Sequence, residues 1–204
     1  NQITLAAGVV GLLGCALVAA GGYALPVLGF MLTHLQSVLD GCDGELARVR
    51  FQQSAIGEWL DTLVDDGLNL ALTAAIGLYY WRSNQLDVFL GWTAVSCGML
   101  LFYNLVTYRE LWRQGQGGEI LKIKWWFAKG RDFKELHTKK GTIQLNFFLT
   151  VGRRDFYLLV WLVLAIFNMG WLIITYAFMV AFINFCVAVG QVFWTLRKSP
   201  VLEP

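Results

Sequence analysis

Acidic side chains are concentrated in one short stretch of this sequence. The segment from Asp40 to Asp66 holds seven of the chain's 14 aspartates and glutamates. Apolar sequence flanks it on both sides, and carboxylates at the ends of apolar helices are costly unless they are paired, solvated or bound to metal. An ordinary loop would not need acids inside a periodic apolar pattern, so this stretch is a candidate site for chemistry.

Helical periodicity gathers part of the stretch onto one face. At about 100° per residue, Asp40, Asp43, Gly44, Ala47 and Arg48 share one side of a helix. That face carries two carboxylates, two residues with little or no side chain, and one guanidinium.

The next helix also carries acidic and small residues on one face. Gly57, Asp61 and Asp65 fall within about 80° of each other on the helix that follows. Two antiparallel neighbours joined by a short loop can bring all four aspartates of the two faces together. The spacing therefore predicts a cluster of four carboxylates at one point.

A divalent cation would resolve the repulsion within such a cluster. Ligands that are all oxygen favour Mg²⁺ or Mn²⁺, with Ca²⁺ as a competitor. The small residues leave backbone room for a flat, bulky group beside the metal, and Arg48 can fork onto phosphate oxygens. These are the parts of a metal-assisted phosphoryl-transfer site, in which positioning and charge neutralisation do most of the catalysis.

The composition indicates which elements position the acids. Of the 204 residues, 57% are hydrophobic and only 15% are charged, against about a quarter charged in soluble domains. A bilayer can cover this much apolar surface, whereas one soluble core cannot. The four cysteines have no paired spacing, which argues against a disulfide framework or a zinc site.

Six apolar segments are long enough to be candidates for spanning helices, which need about 20 residues. They cover residues 3–21, 24–47, 57–81, 88–110, 146–169 and 171–196. The fifth has a short apolar core after Arg154, so we predict that its helix begins before Arg153 and leaves the charges there near membrane depth. We therefore predict an all-α integral membrane protein with six transmembrane helices.

The basic residues predict its orientation. Apart from Arg82, every Lys and Arg falls in the connection between spans two and three, in the connection between spans four and five or the adjoining span ends, or after span six. Basic residues accumulate in cytoplasmic loops, so both termini are predicted to be cytoplasmic. The acidic site then lies at the cytoplasmic ends of helices 2 and 3. The basic, aromatic-containing stretch 111–145 is interpreted as a solvated loop with an interfacial helix, not as a nucleic-acid site.

The acidic stretch also resembles a known signature. The pattern D-x2-D-G-x2-A-R-x8-G-x3-D-x3-D fills all eight of its fixed positions here, and it is similar to the motif of the CDP-alcohol phosphotransferase family. The eight positions are Asp40, Asp43, Gly44, Ala47, Arg48, Gly57, Asp61 and Asp65. The opening NQIT resembles the family's usual entry to its first span, with Thr4 in the expected place. Six spans also match the family fold.

The resemblance implies roles for these positions. Asp40, Asp43 and Asp61 would bind metal in a two-ion site that Asp65 joins, and Asp65 would be the general base for the acceptor hydroxyl. The remaining motif positions would hold the CDP-linked donor. These donor-binding residues are Thr4, Gly44, Ala47, Arg48 and Gly57. The hydroxyl would attack the phosphorus next to the donor alcohol, and CMP would leave.

The substrates remain open at this level. The donor is either CDP-diacylglycerol or a polar CDP-alcohol such as CDP-inositol, and the acceptor is glycerol phosphate, inositol phosphate, inositol or a lipid alcohol. Arg153 and Arg154 open the fifth span on the same side as the aspartates, and they are interpreted either as a clamp for an acceptor phosphate or as headgroup anchors. The RRDFYLL string resembles family members that handle inositol phosphates, so inositol phosphate or glycerol phosphate is the favoured acceptor.

Four further expectations complete the prediction. A non-enzymatic membrane cation transporter is the alternative function, although it does not explain the positions of the small residues and Arg48. Residues 1–204 are expected to form one transmembrane domain, similar proteins suggest a homodimer, and the abrupt apolar start leaves room for a preceding segment or domain.

Overall fold

The computed structural model describes residues 2–49, 55–114, 123, 125–128 and 154–198. These residues form six α-helices and one short 3-10 helix, and none of them belongs to a β-strand. The helices are α1 (Gln2–Ala20), α2 (Ala24–Val49), α3 (Ala55–Asn84), α4 (Val88–Arg113), α5 (Arg154–Ile166) and α6 (Gly170–Lys198), with the 3-10 turn at Trp126–Ala128 between α4 and α5. The all-helical prediction is confirmed.

The six helices coincide with the six predicted apolar segments. Four of them begin and end within a few residues of the predicted bounds, and α6 begins one residue early. The predicted start of the fifth segment, before Arg153, lies outside the described residues. Among the described helices, Val88–Arg113 and Gly170–Arg197 are long and apolar enough to cross a membrane, and Thr4–Ala20 is a shorter apolar helix.

Three tight connections reverse the chain direction at one end of the bundle. Gly21 and Gly22, with φ of 90° and 78°, join α1 to α2, where the left-handed backbone suits residues without a Cβ. Gln85 and Asn168 take φ of 56° and 54° in the α3–α4 and α5–α6 turns. Because these turns are short, consecutive helices run antiparallel, and the acidic parts of α2 and α3 point to the opposite end.

The helices pack in a definite order. Helix α1 lies against both of them, α5 packs on α2, and α4 packs on α3 and α6. The largest apolar cluster joins five of the helices through side chains such as Val18, Phe30, Ile76, Leu158 and Ile173. Many large apolar side chains of α1, α4 and α6 remain on the outside, as expected where lipid tails cover them.

Two glycines allow α1 and α2 to touch backbone to backbone. A Cβ added to Gly14 would lie 2.8 Å from the carbonyl oxygen of Gly29, and one added to Gly29 would lie 2.6 Å from that of Gly14. Neither backbone atom can move aside as a flexible side chain could. The crossing therefore requires glycine in both helices, and it fixes the position of α2 relative to α1.

Candidate active site

Three helices meet at the acidic end of the bundle. Asp40 lies in the second half of α2, and Asp61 and Asp65 lie one turn apart near the start of α3. The Asp40 carboxyl group lies close enough to those of Asp61 and Asp65 to interact with both. The structure thus brings Asp40 of one helix toward Asp61 and Asp65 of the next.

A buried arginine from the third helix completes the cluster. Arg154, the first residue of α5, has a side chain only 16% exposed, and its Nη1 forms an ion pair with Oδ1 of Asp65. Its Nη2 donates a hydrogen bond to Oε1 of Gln36 in α2. The guanidinium also interacts electrostatically with Asp40. One cation therefore joins α2, α3 and α5 among the carboxylates.

Further polar contacts fasten α5 to its neighbours. The Ser37 hydroxyl of α2 donates to Oδ1 of Asp155 at 2.7 Å. The Tyr157 hydroxyl donates to Oδ1 of Asn69, one turn beyond Asp65 on α3, at 2.8 Å. These contacts hold the start of α5 against both acid-bearing helices.

The neighbouring acid faces another helix. Oδ2 of Asp66 accepts a hydrogen bond from the Tyr108 hydroxyl of α4 at 2.6 Å. The Tyr108 ring in turn packs edge-on against Trp59 of α3, with ring centroids 5.8 Å apart. Asp66 therefore connects α3 to α4 and does not point toward Asp40.

A divalent cation is compatible with the described acids, although they do not form a complete site. Oδ1 of Asp40 is buried and accepts no hydrogen bond. A buried carboxylate oxygen in this condition calls for a cation or a donor. Within the described residues, no three His, Cys, Asp or Glu side chains are grouped closely enough to hold a metal ion. Asp43, the fourth predicted ligand, lies in α2, but its side chain is outside the described part.

The predicted donor-binding residues lie at the same end of the bundle. Thr4 is buried in the first turn of α1, and Gly8, one turn later, packs on Val64 of α3. Gly57 lies in the first turn of α3, close to Asp61 in sequence. Gly44, Ala47 and Arg48 lie in the last two turns of α2, with their side-chain surroundings outside the described part. Arg153 is outside it altogether.

Sequence reasoning missed four residues of this network: Gln36, Ser37, Asn69 and Tyr157. Two of them carried a usable signal. Gln36 is four residues before Asp40 and Asn69 is four residues after Asp65, so each extends an acidic face by one helical turn. A polar side chain deep inside an apolar span normally faces the bundle interior and has a functional or packing partner.

The fold and the site together describe a helical bundle with its polar residues gathered at one end. The family model for CDP-alcohol phosphatidyltransferase matches residues 1–183, and the chain belongs to this family. The resemblance that the signature indicated is therefore confirmed. Its family and its two long apolar helices indicate membrane association.

Curated relatives share parts of this chain. The chain is 28% identical over 131 residues to the "Bifunctional IPC transferase and DIPP synthase" of Aquifex aeolicus, covering 63% of this chain and 29% of the relative. Proteins of the same name from Rubrobacter xylanophilus and Thermococcus kodakarensis are 32% and 36% identical over 57% and 47% of this chain, and over 25% and 22% of their own lengths. The chain thus matches less than a third of each relative.

Proposed function

We propose that this protein transfers a phosphoryl-alcohol group from a CDP-linked donor to a phosphorylated alcohol and releases CMP. The meeting of Asp40, Asp61 and Asp65 with Arg154 carries this proposal, because it sets acidic and basic groups side by side in a mostly buried place. Such a place suits a reaction that needs both a base and a site for anionic substrates.

The aspartates are proposed to hold Mg²⁺ or Mn²⁺, with two ions shared among Asp40, Asp43, Asp61 and Asp65. The buried, unpaired oxygen of Asp40 and its two acidic neighbours support this assignment. When bound, the metal would neutralise charge on the pyrophosphate of the donor and on departing CMP. If Asp65 bound the metal, its carboxylate oxygens would contact both the metal and Arg154.

The donor is proposed to lie across the ends of α1, α2 and α3. Gly44, Ala47 and Gly57 offer room for the nucleotide because they have little or no side chain, and Arg48 would bind its phosphates. Thr4 is close to this region, since the first turns of α1 pack on α3. Whether the donor is lipidic or polar does not alter these contacts.

Asp65 is proposed to act as the general base. Its carboxylate would accept the proton of the acceptor hydroxyl while that oxygen bonds to the phosphorus and the bond from phosphorus to CMP breaks. Arg154 supports this role, because a guanidinium on Oδ1 orients the carboxylate and leaves Oδ2 for the proton. The base is thus held by a residue of a different helix.

Arg153 and Arg154 are proposed to bind the acceptor phosphate. A guanidinium has five N–H donors, and the contacts of Arg154 with Asp65 and Gln36 engage two of them. A phosphate beside Asp65 would place the acceptor hydroxyl close to the base. The names of the relatives, which include DIPP synthase, favour inositol phosphate as the acceptor over glycerol phosphate.

The membrane arrangement belongs to the same proposal. All six helices are proposed to span the bilayer as one domain over residues 1–204, with both termini and the active site on the cytoplasmic side. The distribution of Lys and Arg supports this orientation. A homodimer is proposed from the resemblance alone.

The decisive experiment supplies purified protein with Mg²⁺ and a panel of CDP-linked donors and acceptors, and measures CMP release. We expect CMP only when both substrates are present, and fastest release with an inositol phosphate. Lipidic and polar donors are compared in separate reactions, with glycerol phosphate and unphosphorylated inositol as alternative acceptors. If unphosphorylated inositol is used as well as its phosphate, the acceptor assignment is wrong while the reaction class stands.

A further inference from the structure

Gln36 is the most deeply buried polar partner of the site and has no role in the reaction described above. Its side chain is fully buried, at 0% exposure, and it lies in α2 one turn before Asp40. Its Oε1 accepts a hydrogen bond from Nη2 of Arg154, while its Nε2 is buried without a hydrogen-bond partner. A buried amide left half satisfied is unfavourable, so packing alone does not explain a glutamine here.

The chemistry of the pair fixes how Gln36 faces Arg154. A guanidinium only donates hydrogen bonds, so the amide must present its oxygen to Arg154 and turn its NH₂ group away. Asp65 forms an ion pair with Nη1 and Gln36 accepts a hydrogen bond from Nη2, on two different helices. The guanidinium is therefore held between α2 and α3, and its Nε and Nη1 are buried without a hydrogen-bond partner.

A neighbouring contact shows that Gln36 is not needed to fasten α2 to α5. Ser37, the next residue of α2, already binds Asp155, the residue after Arg154, at 2.7 Å. Both contacts join the same two helices at the same level, but only that of Gln36 reaches the guanidinium. Ser37 therefore provides a matched control for a purely structural effect.

We infer that Gln36 is a positioning residue that holds the Arg154 guanidinium beside Asp65, in the orientation that receives the phosphate of the acceptor. The inference rests on the proposed function and deepens it, because it makes acceptor affinity depend on a residue that does not touch the acceptor. Donor binding, which involves the ends of α1, α2 and α3, does not depend on this contact.

The test uses the full chain with Mg²⁺, an inositol phosphate as acceptor probe, and the variants Gln36→Met, Ser37→Ala and Arg154→Ala. Methionine keeps the length of glutamine but cannot accept the hydrogen bond. We expect Gln36→Met to raise the acceptor KM about tenfold with donor KM and kcat changed less than about twofold, since one charge-assisted contact is lost. Ser37→Ala should keep the wild-type acceptor KM.

Binding provides a readout that does not need turnover. Calorimetric titration of the same probe should show the same weakening in Gln36→Met, and the double variant with Arg154→Ala should bind no more weakly than Arg154→Ala alone. If Gln36→Met does not fold, Gln36→Asn replaces it, because the shorter amide cannot reach Arg154. Losses that add in the double variant, or that Ser37→Ala reproduces, would overturn the assignment of Gln36.

Failure of the proposed function and failure of the role assigned to Gln36 would give different results. Wild-type protein that neither binds nor uses the phosphorylated probe removes the proposed acceptor, and the role of Gln36 is lost with it. Wild-type protein that uses the probe while Gln36→Met keeps its affinity leaves the proposed function intact and overturns only the role of Gln36.

Discussion

Two acidic regions lie at the same end of the bundle, one half-buried and one fully buried, and their carboxylates have different partners. In the first, formed by α2, α3 and α5, Asp40 faces Asp61 and Asp65, and one of its oxygens accepts no hydrogen bond. In the second, formed by α4 and α6, the side chain of Glu110 is even more completely buried, since the residue is 1% exposed.

Glu110 is satisfied by neutral donors and by one cation. The Thr195 hydroxyl of α6 donates to its Oε1 at 3.3 Å, and the Gln114 amide donates to its Oε2 at 3.2 Å. Arg113, whose side chain is half exposed, approaches the same carboxylate at 3.9 Å. Both oxygens thus have partners from the protein itself.

The difference supports the proposal that the α2–α3 acids bind a ligand, whereas Glu110 stabilises the fold. A carboxylate with a full set of protein donors gains little from a metal ion, whereas acids that face one another are stabilised by one. Burial alone would have selected Glu110 as the more unusual residue. The incomplete hydrogen bonding of Asp40 instead favours the α2–α3 acids as the candidate site.

Removal of metal is expected to have the largest effect, and to affect the first acidic region but not the second. Excess chelator should abolish CMP release, and added Mg²⁺ or Mn²⁺ should restore it, because facing carboxylates cannot bind a pyrophosphate without a cation between them. The Glu110 region needs no ion, so its contacts should persist. The measurement is CMP release against chelator concentration, with thermal unfolding of the same samples as control. Undiminished turnover in excess chelator would end the metal assignment.

Single substitutions in the first region should distinguish the general base from the metal ligands. Asp65→Asn should lower CMP release by about 10²–10⁴-fold while donor binding largely survives, since loss of a general base acts on the acceptor. Asp43→Asn should weaken metal and donor binding together. Donor titrations of both variants test this division. If the two give the same loss of donor affinity, Asp65 is chiefly a metal ligand.

The arginines of the two regions should respond differently to the same change. Arg154→Ala should raise the KM for a phosphorylated acceptor about ten- to a hundredfold, or about 1.5–3 kcal/mol, with donor KM little changed. Arg153→Ala is expected to act in the same direction. Arg113→Ala, which only loosens a long contact with Glu110, should keep the wild-type acceptor KM. Normal acceptor kinetics in both α5 variants would leave Arg153 and Arg154 as headgroup anchors.

The smallest effect is expected in the second region and should fall on stability alone. Thr195→Val removes the hydroxyl that donates to Glu110, so the free energy of unfolding should fall by about 1 kcal/mol with turnover unchanged. Thr175→Val in the same helix is the matched control, because that exposed hydroxyl only donates to the Trp171 carbonyl one turn back. Unfolding of both variants in detergent provides the measurement. A loss of activity in Thr195→Val would show that the regions are coupled.

The positions of the helices were predictable because long apolar segments can be recognised by their length and hydropathy. The four motif aspartates were placed on the right two helices for the same kind of reason, since helical periodicity is a local property. Only the resemblance gave them roles, and those roles remain predictions. The orientation across the membrane also remains a prediction, since it depends on charges in connections such as 115–122 that the structure does not describe.

The partners of Arg154 could not have been predicted from the sequence. Gln36 and Asp65 are 118 and 89 positions away from it, and contacts over such separations depend on how α5 docks between α2 and α3. The string RRDFYLL indicated that charged residues lie within the bundle, but it did not indicate which acid they would contact. Likewise, Tyr157 was counted with the apolar run of α5, although its hydroxyl binds Asn69.

The glycine crossing of α1 and α2 bears on how substrate preference can change within such a bundle. Gly29 lies 11 residues before Asp40, or about 16 Å along the helix axis, so a small tilt at the crossing is magnified at the acid. Because the backbones of α1 and α2 touch at this crossing, α2 cannot slide or rotate there without a steric clash. The described contacts of α5 with the acid-bearing helices are instead made by side chains. Variation that adapts this scaffold to a new acceptor should therefore accumulate in α5, while α1 and α2 act as its fixed frame.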